Sequence, residues 1–321
     1  MQISNSNVMV TGGAGFIGSH LVDKLMELDC NIRVYDNLSP FYTGKEDNIR
    51  HHMDKPNFKF VNGDILNLGA LKASMKNLDV VFHLAAQPGV RYSLENPNKT
   101  HEVNVTGTLN VLMAAKANEV KKVIFASSSC IYGAAEKLPM SEESATNPVS
   151  LYGVSKLAAE AYCKIFHRLY GTDIVILRYF TAIGARQRPD MSPRIFVENA
   201  LQEKPIIIFG DGNQSRDFVS VHDIAEGTIR AAETDGISGE SFNIGSGRSI
   251  TINELAKLAL QLTEKEAKTE IQYEAPKLGE MRHTLANIQK AKKLLKFTPK
   301  RSLKESLEEL VTWSRGRLRI S

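Results

Sequence analysis

Three features of the chain predict an α/β fold, a doubly wound parallel sheet with a smaller C-terminal lobe. The first 180 residues alternate short β-branched runs with helical patterns, a glycine-rich turn joins the first run to the first helix, and the alternation stops after residue 180. Apolar strands that alternate with helices form parallel sheets covered on both faces.

The strand-like runs are "NVMVTGG" (7–13), "NIRVYD" (31–36), "FKFVNGD" (58–64), "DVVFHLAA" (79–86), "KKVIFASS" (121–128) and "DIVILRYF" (173–180). Each is short, β-branched and closed by small or polar residues. Between them lie helical patterns at 18–29, 104–118 and 152–171, the last with Pro148 upstream and Gly171 as its stop. After residue 180, "TAIGARQRPDMSPR" (181–194) reads as a loop, and 251–268 and 302–316 read as helices. The expected division is 1–180 for the sheet domain, with a returning segment near 217–245, and 181–321 mainly for the second lobe. Repeats and low-complexity tracts are absent from the sequence.

Composition narrows the class. Hydrophobic residues make up 42% and charged residues 24% of the 321, ordinary for a soluble globular protein. Three cysteines (Cys30, Cys130, Cys163) cannot all pair and form no C-x-x-C, which suits a reducing compartment. No apolar run approaches the roughly 20 residues of a membrane span, and the start lacks a signal peptide's apolar stretch, so a cytoplasmic protein with no membrane partner is expected. The net charge of +4 suits an anionic small ligand and gives no nucleic-acid signature. The basic tail "RGRLRI" (315–320) reads as a solvated chain end.

Two patterns carry chemistry. In "VMVTGGAGFIGSHL", Gly12, Gly15 and Gly18 follow a strand and open an amphipathic helix, where backbone N–H groups can approach a pyrophosphate. Asp36 closes the second strand 18 residues after Gly18. A carboxylate there binds the two adenosine ribose hydroxyls and repels a 2′-phosphate, favouring NAD over NADP; the alternative is a turn cap. Asp64, in "NGDI", is placed to accept the adenine amino group, although N-G-D is also an ordinary turn. Tyr152 and Lys156 share a helix face at i, i+4. The lysine charge is expected to lower the phenol pKa and make Tyr152 a general base. Ser128 ends the neighbouring strand and can bond the same substrate hydroxyl.

Together with "YDNL", "HLAAQPGVRYSLENP", "SSSCIYG", "RYFTAIGARQRPDM", "FGDGNQSRDFVSVHDIAEG", "FNIGSG" and "GEMRHT", these motifs resemble the extended short-chain dehydrogenase/reductases over nearly the whole chain. Within that group they resemble the nucleotide-sugar epimerases, and most of all the UDP-glucuronate 4-epimerases. The resemblance implies a Rossmann-like domain with permanently bound NAD, a lobe gripping a UDP-sugar, and a homodimer formed through a four-helix bundle. Against NAD it implies Gly12, Gly15, Phe16, Ile17 and Gly18 of the turn. After the second and third strands it implies Asp36 and Asn37, then Asp64 and Ile65. Leu84, Ala85 and Ala86 follow the fourth, with Asn104, Tyr152, Lys156 and Tyr179 completing the set. Tyr152, Lys156 and Ser128 are implied as catalytic, and no metal is.

For the sugar nucleotide the resemblance implies Arg91, Ser128, Ser129 and Thr181, with Arg188 as a bidentate partner of a uronate carboxylate. Structural ion pairs or phosphate contacts are the alternatives for Arg186 and Arg188. Arg216 is implied at the pyrophosphate, Phe209 near the base and Glu280 at the ribose. Lys277 stands where relatives have an arginine, so its phosphate contact would be a point charge. Asp190 and His222 are read as structural. Relatives that dehydrate or decarboxylate carry an acidic residue where this chain has Cys130. A neutral thiol there reads as wall packing and points away from those reactions. A 4-epimerase of neutral UDP-sugars and an NAD-binding regulatory protein are the competing functions. The latter needs no Tyr-Lys pair.

Overall fold

The computed structural model describes residues 2–134 and 137–319. The six apolar runs all become strands: β1 (Asn7–Thr11), β2 (Asn31–Asp36), β3 (Phe58–Asn62), β4 (Val80–His83), β5 (Lys122–Ser128) and β6 (Ile174–Tyr179). With strand Ser241–Ile244 they form a seven-stranded sheet in the order β3-β2-β1-β4-β5-β6-(Ser241–Ile244). Every pairing in it is parallel. Val8 and Val10 pack into one core layer and Met9 into the opposite one; Ile124 likewise opposes Val123 and Phe125. This period-2 alternation, apolar on both faces, is why the runs read as continuous hydrophobic stretches.

The chain leaves β1 for β2 on one side and later returns to place β4 on the other. The carboxyl ends of β1 and β4 therefore frame a crevice at a topological switch point, where ligands of open α/β sheets bind. Helices Phe16–Glu27 and Val221–Glu233 cover one face. Helices Leu68–Ser74, Gly107–Ala117 and Leu151–Tyr170 cover the other.

Helix Leu151–Tyr170 has a local explanation at each end. The Ser150 hydroxyl accepts the Gly153 N–H (3.1 Å), and Gly171 closes the helix at φ +66°, its N–H donating to the His167 carbonyl. Ser155, Lys156, Ala159, Glu160, Cys163 and Phe166 form its buried stripe.

A third apolar cluster gathers Phe196, Val197, Ile206, Ile208, Leu255 and Leu310. It is built by helices Ser192–Leu201, Ile252–Thr263 and Leu303–Leu318 and the parallel pair Ile206–Phe209 and Ile271–Glu274. The last two helices start with capping boxes, Thr251 with Glu254 and Ser302 with Glu305.

The sequence expectations need amendment in three places. The stretch 181–194 is not wholly loop: Thr181–Ile183 is a strand paired with Phe218–Ser220, and a helix begins at Ser192. Helices Leu68–Ser74, Val90–Glu95, Pro97–His101 and Val221–Glu233 add to the helical patterns read from the sequence. In the basic tail, Arg315 and Arg317 belong to the final helix and Arg319 caps it, while Ile320 lies outside the described residues. Among the described residues no helix is long and apolar enough to cross a membrane.

Candidate active site

The glycine turn shapes the first cavity, about 190 Å³, at the carboxyl ends of the central strands. Gly12 has φ +72°, and a Cβ there would meet the Ala85 nitrogen at 2.7 Å. A Cβ on Gly18 would strike the Gly12 carbonyl oxygen. Both positions keep backbone close to backbone, which leaves a concave cradle at a helix N-terminus. Asp36, 7% exposed, accepts the N–H groups of Ala14 (3.1 Å) and Leu38 (2.9 Å). It thus has the turn-capping contacts while also lining the cavity. Burial raises its pKa, against the Leu38 N–H, the Lys45 charge and the Ala14 N–H. Asn37 donates to Asp64 at 2.9 Å. Phe16, Ile17, Ile65, Leu84, Ala85 and Ala86 line the same cavity, with Tyr152, Lys156 and Tyr179 at one end.

Of the residues expected against NAD, Asn104 alone is absent from this lining. It is 1% exposed, within the π turn Glu102–Thr106. Its amide donates to the Gln87 carbonyl (3.1 Å) and the Ser155 hydroxyl (2.9 Å) and accepts the Gln87 N–H (2.7 Å). It ties the loop after β4 to the helix that carries Tyr152.

A second cavity, about 300 Å³, is lined by Ser128, Ser129, Cys130, Thr181, Arg216 and Glu280. Tyr152 and Arg188 line both cavities. Burial, with Cys130, drives the Tyr152 pKa well above the ordinary phenol value, while Arg188 and a hydrogen bond with Ser128 oppose it. The expected influence of Lys156 is not what the geometry supplies. Its Nζ donates to the Ala126 carbonyl (2.9 Å) and lies 5.0 Å from the Phe125 ring centre. Burial lowers its pKa to about 8, with Cys163 and Glu160 opposing. Sharing a helix face with Tyr152 did not decide where the ammonium points, because the carbonyl at the end of β5 captures it.

Beneath the site lies a buried ion pair. Arg178 donates from Nε (3.1 Å) and Nη2 (2.9 Å) to the Glu160 carboxylate, and Ser127 donates to the same carboxylate at 2.5 Å. Arg178 also donates to the Tyr132 hydroxyl, which donates to Asn243. The network fastens helix Leu151–Tyr170 to β5 and β6.

Cys130 is half-buried, and burial raises its thiol pKa, with Ser128, Arg216 and Arg188 opposing. Arg188, expected to pair with a sugar carboxylate or else to make a structural ion pair, makes an internal one: its Nε and Nη2 donate to the two Asp190 oxygens at 2.9 and 2.8 Å. Asp190 lines neither cavity itself but pairs with a residue that lines both. Arg186 makes a structural ion pair with Asp23 (2.8 Å), whose other oxygen faces the Nε2 atoms of His51 and His52. These three side chains have the spacing of metal ligands, but the Arg186 guanidinium already supplies the counter-charge. His222 pairs with Glu309.

Of the remaining sugar-nucleotide residues, Arg91, Phe209 and Lys277 line neither cavity but join the Arg216 and Glu280 wall of the second. Glu280 bridges Arg91 (2.9 Å) and Arg216 (3.8 Å), and Lys277 Nζ lies 3.6 Å from the centre of the Phe209 ring, beside Arg91. Sequence reasoning missed Tyr42, whose hydroxyl accepts the Phe16 N–H at 3.1 Å, and Phe41, Lys45 and Gln87, which line the first cavity. The aromatic-basic stretch "FYTGK" (41–45), in the loop that follows Asp36, is the signal that could have found three of them.

Comparison with known proteins agrees with this geometry. A family model described as "NAD dependent epimerase/dehydratase family" matches residues 8–245. A UDP-glucuronate 4-epimerase of Thermodesulfobacterium geofontis is 41% identical, with 97% of each chain covered. The UDP-glucuronic acid 4-epimerase of Bacillus cereus, solved with UDP-glucuronic acid and NAD, superposes with a TM-score of 0.91 at 36% identity, covering 97% of this chain and 99% of that one. The UDP-glucose 4-epimerase of Thermotoga maritima, solved with UDP-glucose, superposes with a TM-score of 0.90 at 37% identity and the same coverages.

Proposed function

The chain belongs to the NAD dependent epimerase/dehydratase family, and from that premise we propose that it inverts C4 of a UDP-sugar, with UDP-glucuronate and UDP-galacturonate as its preferred pair. One observation carries the reading: Tyr152 and Arg188 stand where two cavities meet, one shaped by the glycine cradle and Asp36, the other lined by hydroxyls and arginines. The cradle fits NAD, because its backbone-to-backbone approaches leave room for a pyrophosphate and Asp36 can hold the ribose hydroxyls. NAD, when bound, supplies a reversible hydride acceptor, so alcohol and ketone at C4 interconvert without net redox.

The chain's own residues do the rest. Tyr152 takes the proton of the 4-hydroxyl and Ser128 orients that hydroxyl. Lys156 contributes positive charge on the same helix turn. Arg216, Glu280 and Arg91 form a charged cluster suited to the diphosphate and ribose, with Phe209 and Lys277 beside the base. Arg188 receives the uronate carboxylate. Cys130, its thiol held neutral by burial, offers no second acid or base, which argues against dehydration and decarboxylation.

A neutral UDP-sugar is the second reading, and the Asp190 contact favours it, since the Arg188 fork is already matched by a carboxylate. The proposal includes a homodimer. Leu151, Val154, Ile165 and Leu169 leave an apolar stripe exposed on helix Leu151–Tyr170, which a second copy would cover; light scattering would test it. The deciding experiment incubates the purified protein with UDP-glucuronate, UDP-galacturonate, UDP-glucose and UDP-N-acetylglucosamine, without added cofactor, and resolves the epimers by NMR. Turnover of the uronates above the neutral sugars is expected; turnover of neutral sugars alone would install the second reading.

A further inference from the structure

We propose that Asp190 is a specificity-determining residue, a carboxylate of the protein that fills the Arg188 fork when the sugar offers no charge and yields it to a sugar that does. The inference rests on the C4-epimerase reading and deepens it. Arg188 reaches the junction of the two cavities with a guanidinium that cannot lose its charge. Beside a neutral sugar, an unmatched guanidinium in a partly buried wall is costly. Asp190 removes that cost through both oxygens, at 2.9 and 2.8 Å.

The pair is built to open on one side only. Arg188 retains 21% side-chain exposure and Asp190 retains 40%, so a released Asp190 rehydrates readily while Arg188 stays at the wall. Arg91, itself paired with Glu280 at 2.9 Å, adds a favourable charge near the Asp190 carboxylate. The loop bearing the pair is fixed on both flanks. Arg186 holds Asp23 at 2.8 Å, the Gln187 amide donates to the Ala182 carbonyl at 2.7 Å, and Arg194 donates to the Gln187 carbonyl at 2.6 Å. Exchange of carboxylates on Arg188 therefore needs a side-chain rotation of Asp190 and no movement of the loop. Two carboxylates then compete for one fork, and the internal one taxes the uronate while it serves the neutral sugar.

The test compares Asp190→Asn, Asp190→Glu and the unmodified protein. The affinities of UDP-glucuronate and UDP-glucose are measured by calorimetry in a Tyr152→Phe background, and turnover of both in the active background. Asp190→Asn should raise the uronate-to-neutral ratio roughly tenfold or more, the scale of one charge-assisted hydrogen bond gained, chiefly through KM. Asp190→Glu, which still carries a carboxylate, should return the ratio toward that of the unmodified protein. An unchanged ratio, or equal losses on both sugars, would overturn the inference and reduce Asp190 to a loop support. Thermal midpoints and retained NAD guard against misfolded variants. If the unmodified protein turns over neutral sugars only, the uronate preference fails separately. Asp190→Asn must then create uronate binding, and its failure to do so would overturn the inference as well.

Discussion

Replacing Asp36 by asparagine changes one charge and almost no volume, so its consequences can be worked through. A carboxylate that accepts both adenosine ribose hydroxyls makes charge-assisted bonds of about 1.5–3 kcal/mol each. The amide keeps one acceptor, so NAD should bind roughly 10- to 100-fold more weakly. Against a 2′-phosphate, the lost repulsion is about 3 kcal/mol per phosphate charge at 5 Å and an effective dielectric of about 20, reduced by salt and by Lys45, whose charge already acts on Asp36. The preference for NAD over NADP should therefore fall by at least ~100-fold. A structural cost comes with it. Ala14 and Leu38 both donate to this carboxylate, and an amide can satisfy only one of them, leaving an N–H short by about 1–3 kcal/mol. The assay identifies the cofactor released from the purified variant by mass spectrometry, then titrates stripped protein with NAD and NADP. The stripped protein's thermal midpoint separates the structural cost from the lost ligand contact. Unchanged NAD affinity with NADP still excluded would refute the assignment of Asp36 to the ribose.

Tyr152→Phe should nearly abolish epimerisation while leaving UDP-sugar affinity within a few-fold, as calorimetry and product analysis would measure; retained turnover would remove Tyr152 from the base role. Glu160→Gln leaves Arg178, 3% exposed, without its carboxylate and should cost about 3–5 kcal/mol in denaturant midpoint analysis; a loss below about 1 kcal/mol would show that Tyr132 and the Glu142 carbonyl suffice for Arg178. Burial lowers the pKa of His20 to about 4, with Arg186 adding to it. The unfolded chain therefore binds the extra proton below pH 6.5, and this stability is present above pH 6.5 and lost as pH falls toward 4. The His20 contribution between pH 7 and pH 5 is about 2 kcal/mol, opposed at lower pH by Asp36, Glu142 and Asp217, whose folded pKa values are raised by burial. Thermal melts of His20→Gln should show a shallower acid slope than the unmodified protein, and identical slopes would contradict the assignment.

What could be read from the chain was whatever physics keeps local. Glycines three residues apart after a β-branched run specify a tight turn before any tertiary contact forms, and Asp36 is placed by the strand it closes. Ser150 and Gly171 delimit their helix by capping alone. Helix Val221–Glu233 escaped notice although its apolar positions repeat at helical spacing, because Gly227 interrupts the pattern. A Cβ there would meet Phe297 at 3.2 Å and Ile244 at 3.3 Å, side chains that the local pattern does not reveal. The site divided the same way. Tyr152 and Lys156 were legible as one face, but the direction of the Lys156 ammonium depends on a strand carbonyl, and the Arg188–Asp190 fork joins residues two apart in a loop with no periodicity to betray it. Tyr42 reaches the glycine turn from a loop with no regular pattern.

On the proposed chemistry, the protonation of Tyr152 becomes the point at which the two cavities communicate. Burial keeps the phenol protonated, and the chain supplies only modest correction: a hydrogen bond with Ser128 and the charge of Arg188, itself shared with Asp190. Lys156, lowered to about pKa 8 and committed to the Ala126 carbonyl, adds charge without touching the phenol. A phenol so reluctant to ionise can act as a base only when further positive charge enters the cavity that Tyr152 and Lys156 line together. Oxidised nicotinamide carries such charge and its reduced form does not. The phenol should therefore be readiest to lose its proton when the cofactor is oxidised and the sugar an alcohol, and readiest to keep it when the sugar is a ketone. That pairing suits a reaction that runs forward and back within one site. Cys130 fits the same logic. A carboxylate in its place would put a negative charge beside a phenol already difficult to ionise, and would offer the ketone intermediate a second base and a route away from epimerisation.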